Sequence, residues 1–287
     1  MSDNRTVSPF LYVLIAVLLW STGGLFIKLT SLDAYQVTFF RSLFAAITVL
    51  IITRKDGLRI NAFGILATLI YSTLLFLFVW ATKHTTAANA IFLQYTAPIY
   101  ILILAPFVIG EKFHIRDLAT VVFCIAGMSL FFVGDLTIGD YQGNIAALGS
   151  GIFLGLYIML LRHPKAMGMS GTITVIYGNF LLALLTLPSG IAAIPTITLT
   201  DILAVGFLGV FQIGISYILF IKGVRDGTRP LDASIIGFIE PLLNPVWVFL
   251  FIGERPLNSA ILGGMIIIAT VAVHTLVQYR ARSEQGS

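Results

Sequence analysis

Glu240 and Arg41 are the charged residues set well inside long apolar runs of this chain. A charge at the centre of a membrane helix costs about 2.5–3.5 kcal/mol on insertion scales, so each must face a wet cavity or a partner. Glu240 has three chemistries open to it: binding a substrate amine, carrying a coupling proton, or closing a structural ion pair. Arg41 stands one or two turns into its run, where snorkelling or helix packing suits it. Neutral polar groups recur in the same runs. Gln94, Gln212 and Asn244 provide amides, and Trp20, Tyr95, Tyr157 and Tyr217 provide rings. Together with Glu240 these eight form the candidate lining of a substrate cavity. The aromatic faces would bury and stack an apolar side chain, and the amides would hydrogen-bond a polar head. For any one of them, a hydrogen bond between helices is an equal alternative. Pro98, Pro241 and Pro245 each remove a backbone donor inside an apolar run, which makes them candidate kinks or hinges, with an inherited static bend as the alternative.

Other chemistries lack their residues. Cys124 is the single cysteine, so neither an intrachain disulfide nor a thiolate metal cluster is expected. The four histidines are scattered, and no phosphate-cradling glycine loop occurs. No cofactor, metal or catalytic cluster is expected, which leaves no enzyme to argue for. No basic run suits nucleic acid.

The elements that must position these groups follow from composition. Of 287 residues, 58% are hydrophobic and 10% charged, against roughly 45–50% and about 25% in soluble domains. Such a chain belongs in a bilayer. Ten stretches approach the length needed to cross about 30 Å of hydrocarbon as helices: 10–30, 34–53, 62–82, 86–109, 115–134, 143–161, 172–190, 201–221, 231–252 and 259–279. With the amino end inside, thirteen of the 17 Lys and Arg fall in inner loops and three in outer ones. The positive-inside rule therefore places both termini in the cytoplasm. Trp80 and Tyr12 lie near span ends and suit an interfacial belt. Gly151 and Gly155 suit a close helix contact.

The chain also repeats itself. At an offset of 143 residues Pro98 matches Pro241, Gly110 matches Gly253, Glu111 matches Glu254, and Lys112 is replaced by Arg255; Thr85 and Ala90 match Thr228 and Ala233. Each half then holds five spans, an odd number, so the second half enters the membrane from the opposite side. Residues 1–137 and 138–287 are the expected halves. Oppositely inserted repeats around a midplane site are a known transporter architecture.

The segments "LLWSTGGLFIKL" at 18–29, "FFRSLFAAITVL" at 39–50 and both P…GE stretches resemble the drug/metabolite transporter superfamily of the EamA type. Within it the chain is most similar to the YddG-like aromatic amino-acid exporters. The resemblance implies an all-α integral membrane fold: ten helices in two five-helix inverted repeats, around a cavity lined by spans 1, 3, 4, 6, 8 and 9. Leu154 stands where the first half has Trp20, a departure from repeat symmetry. The resemblance further implies a secondary transporter in the inner membrane, exporting small amphipathic metabolites, amino acids including aromatic ones, by alternating access. Protons are a candidate coupling ion. The alternatives are a transporter of another metabolite or drug, such as a nucleobase or cationic drug, and a passive channel.

Overall fold

Helices in this chain start where a side chain takes a free backbone N–H. Asp33 accepts from the Gln36 amide while the Gln36 side chain accepts from the Asp33 amide, a reciprocal box. Thr198 and Asp201 form the same box, and Asn61 and Thr86 cap singly. The computed structural model describes residues 8–131, 133, 140–243, 247 and 258–285, and every regular element among them is a helix.

In chain order these are α1 (Pro9–Trp20), α2 (Gly23–Leu29), α3 (Ala34–Thr53), α4 (Ala62–His84), α5 (Ala87–Gln94), α6 (Ala97–Val108), α7 (Ile115–Phe131), α8 (Tyr141–Leu160), α9 (Ile173–Leu185), α10 (Leu187–Ala193), α11 (Leu199–Phe207), α12 (Ser216–Arg225), α13 (Pro230–Gly237) and α14 (Asn258–Gln285). A π-helical stretch, Leu208–Ile215, joins α11 to α12. Seven helical segments among the described residues are long and apolar enough to cross a membrane, and the bent pair α9–α10 makes an eighth. Of the other two expected spans, one holds the 17-residue α7 and the other begins with the eight-residue α13. Asn244 and Pro245 lie outside the described residues.

Several spans are broken where the sequence reads as continuous. Span 1 breaks after Trp20, and the hydroxyls of Ser21 and Thr22 each donate at 2.7 Å to the carbonyls of Leu18 and Leu19. Span 4 breaks at Tyr95–Thr96, and Thr96 donates likewise to Leu93. Pro98 then sits in the first turn of α6, where a missing N–H costs nothing. It starts a helix rather than kinking one. The expected continuous run 172–190 is instead bent by 65° at Thr186. Pro188, in the first turn of α10, cannot continue the ladder of α9.

The loops sort to two ends. At one, the Asn61 amide donates to the Lys165 carbonyl, Arg162 and Arg229 approach Glu111 at 3.8 and 3.5 Å, and Arg225 donates to the Met169 and Ala166 carbonyls. At the other, Lys83 donates to the Thr30 carbonyl, Thr30 donates to Asp201 at 2.7 Å, and Thr85 donates to Asn144 at 2.9 Å. The first group joins loops expected inside, the second loops expected outside. Tyr12, under Lys222, and Trp80, stacked on His84, belong to opposite ends. Between them the outer faces are apolar: Phe107, Ile145 and Leu203 are exposed, as lipid contact requires.

Helices α5 and α13 have one further relation. Both are eight residues long, and their ends differ by 143 residues, the offset of the sequence match. Yet α5 starts beside Thr85 at one end and α13 beside Arg229 at the other. They converge midway, where the rings of Tyr95 and Phe238 lie 5.5 Å apart.

Candidate functional site

The breaks at Tyr95 and Phe238 open the middle of the bundle. Each frees the chain to turn just where a polar side chain follows, and the two meet: the Tyr95 hydroxyl donates to Glu240 Oε2 at 2.5 Å. Glu240 is buried and, among the described residues, has no cation within pairing distance. Its companion is a phenol, not the cation of a structural ion pair.

Around this pair lies a cavity lined by Trp20, Arg41, Leu74, Leu75, Phe78, Gln94, Tyr95, Leu154, Gln212, Ile213, Tyr217 and Glu240. Trp20 is held by its indole N–H, which donates to Ser216 at 2.7 Å, and by the rings of Tyr217 and Phe220 at 4.9 and 4.7 Å. The Gln94 amide donates to Ser150 at 2.8 Å, and Ser150 donates on to the Leu74 carbonyl. That link depends on close approach, since a Cβ at Gly151 would stand 2.7 Å from the Gln94 carbonyl oxygen and one at Gly155 3.1 Å from that of Ala97. The small pair on α8 is thus the close helix contact its spacing indicates. Gln212 rides on the π-helical stretch, whose extra residue per turn re-aims side chains. Its side-chain nitrogen stands 2.7 Å from where a Cβ on Gly23 would be, and its side-chain oxygen Oε1 has no hydrogen-bond partner.

The cavity holds about 40 Å³ of room for water, enough for a few molecules, against about 300–1,000 Å³ for ordinary small-molecule sites. In this conformation the walls are closed on one another, and a metabolite enters only if they part.

Six of the eight sequence-designated lining residues therefore surround one cavity. Tyr157 does not reach it. Its hydroxyl pairs with Thr174 at 3.0 Å, and its ring packs behind the wall on Tyr71 and Tyr217 at 4.9 and 6.2 Å. Asn244 falls outside the described residues. The sequence reading missed Arg41 as a wall residue. Far from snorkelling, Arg41 is 0% exposed. The resemblance put span 3 in the lining without naming residues; its wall residues are Leu74, Leu75 and Phe78 on α4, and with Tyr71 behind them their i, i+3, i+4, i+7 spacing was there to find. Tyr71 takes an N–H from Asn179 at 3.0 Å and braces Tyr217 edge-on at 5.0 Å.

The sequence profile of the EamA-like transporter family matches this chain twice, over residues 7–133 and 141–276. An uncharacterized transporter of Clostridium kluyveri is 24% identical over 285 residues, 90% of each chain. Human solute carrier family 35 member G1 is 29% identical over 170 residues, which is 53% of this chain and 47% of that one. One solved crystal structure matches with a TM-score of 0.79 over 94% of this chain and 97% of its own, at 19% identity. That likeness shows the fold alone. With the apolar crossing helices, these matches make the chain a multi-pass membrane protein of the drug/metabolite transporter superfamily, and it belongs to the EamA-like transporter family.

Proposed function

We propose that this protein is a secondary transporter of small amphipathic metabolites, with amino acids including aromatic ones as its substrates and export as its direction. Ten helices in two inverted five-helix repeats would pass substrate through the central cavity by alternating access. The carrying observation is the cavity wall itself. A carboxylate, two amides and a guanidinium share it with the rings of Trp20, Tyr95, Tyr217 and Phe78. A polar head and an apolar or aromatic tail are matched in one place.

The architecture draws support from three features. The family profile matches twice in tandem. Helices α5 and α13 share a length and the 143-residue offset, and they enter from opposite ends. The breaks before Pro98 and Pro241 then serve as the hinges, with helix ends that shift when one face opens. The bilayer is the protein's solvent, and the basic loops support a reading with both termini on the cytoplasmic side of the inner membrane. Glu240 serves either the substrate ammonium or a coupling proton.

Counterflow in proteoliposomes tests the proposal. Vesicles preloaded with unlabelled phenylalanine should accumulate labelled phenylalanine transiently, with saturation. Flux that grows linearly without counterflow would make the protein a channel. Counterflow by nucleobases or cationic drugs in place of amino acids would assign another substrate to the same fold.

A further inference from the structure

Arg41 is a charge without a counterpart. It is 0% exposed in the middle of the bundle. One of its nitrogens, Nη2, donates to the Leu75 carbonyl at the long distance of 3.4 Å, while Nε and Nη1 have no hydrogen-bond partner. Among the described residues no carboxylate lies within pairing distance. A guanidinium kept only for packing would have its nitrogens satisfied, because an unmet buried donor is costly. This one instead lines the cavity. It also stands on α3, the second span, which the family resemblance does not place among the lining.

We infer that Arg41 is the anchor for the substrate's carboxylate, so that the transported species is a zwitterion held by Arg41 at its acid end and Glu240 at its ammonium end. Either edge of the planar guanidinium, Nε with Nη2 or Nη1 with Nη2, matches a carboxylate's two oxygens, and Nη2 keeps a second N–H beside the one given to Leu75. The unpartnered side-chain oxygen of Gln212, Oε1, and Glu240 provide acceptors for an ammonium, whose three protons need them. The two charged groups of the wall cancel, as the charges of a zwitterion do. A phosphate carries a further negative charge, and among the described residues no second cation lines the wall to meet it. This assignment rests on the reading of the cavity as a substrate site.

The test compares transport of L-phenylalanine, its carboxamide, phenethylamine and 3-phenylpropionate by the full chain in proteoliposomes. The wild type should prefer phenylalanine to its amide by at least about tenfold, the usual worth of a charge-assisted hydrogen bond. Arg41→Gln should lower phenylalanine transport by about ten- to a hundredfold and bring the preference for acid over amide close to one. Equal transport of acid and amide by the wild type overturns the inference, and so does a wild-type KM for phenylalanine in Arg41→Gln. Should that variant fail to fold, the wild-type ratio of acid to amide decides alone. If the wild type carries 3-phenylpropionate but no amino acid, the amino-acid reading and the zwitterion fail together, and the carboxylate anchor alone stands, provided Arg41→Gln loses that transport. Transport of phenethylamine alone, or of none of the four, overturns both.

Discussion

Trp20 shows how single residues shape the site. Its N–H is consumed by Ser216, so only its ring face is left for a ligand. An aromatic substrate gains from that face about 0.5–1.5 kcal/mol beyond area burial, and an aliphatic one does not. Trp20→Ala should therefore weaken aromatic amino acids about three- to tenfold more than aliphatic ones of similar size; KM values for phenylalanine and leucine measure it. An equal loss for both would reduce Trp20 to packing. At this scale the sequence was informative for type and for six of the eight candidate wall residues, but not for Tyr157 or Arg41. A carboxylate, amides and rings in apolar runs could be recognised as costly and so as cavity-facing. That Tyr157 packs behind the wall while Tyr217 lines it depends on helix rotation, which one sequence does not fix. Arg41 was misjudged for a similar reason. Distance from a span end says whether an arginine can reach water, not whether the helix turns it inward.

Among the elements, the ion network around Arg229 ties the two halves of the chain together. Arg229, at the start of α13, reaches Asp117 on α7 at 2.8 Å, Glu111 at 3.5 Å and Asp232 at 3.7 Å. Burial would lower the Arg229 guanidinium, but Asp232, Asp117 and Glu111 hold it above its ordinary value. Asp117 is nearly inaccessible, and Asp117→Asn should cost about 2 kcal/mol, less than a fully buried pair because Arg229 keeps two partners. Glu111 behaves oppositely. Burial pushes its carboxyl above the ordinary 4.5, against the pull of Arg229 and Arg162. The folded protein then takes up that proton before the unfolded chain does as pH falls. Its contribution to stability is present at low pH and is lost as pH rises through the window just above 4.5. Glu111→Gln should flatten the slope of Tm against pH in that window, and an unchanged slope would contradict it. Span positions were legible because apolar length acts locally. The 65° bend at Thr186 and the π-helical stretch under Gln212 were not, because neighbours supply the packing that makes them tolerable.

At the scale of the molecule, sidedness and repetition were read from loop charges and one recurrent motif. The structure sorts the same loops to two ends and gives α5 and α13 a common length and offset. The closed cavity was beyond the sequence, since closure is a property of one conformation and not of a span list. The central claim is that this cavity opens by turns to either face. A single cysteine at Leu74, on the wall, in a Cys124→Ala background tests it with a membrane-impermeant thiol reagent applied to each side of sealed vesicles. The account predicts labelling from both sides, with the balance between sides shifted by saturating substrate. Labelling from one side only, with and without substrate, would contradict it.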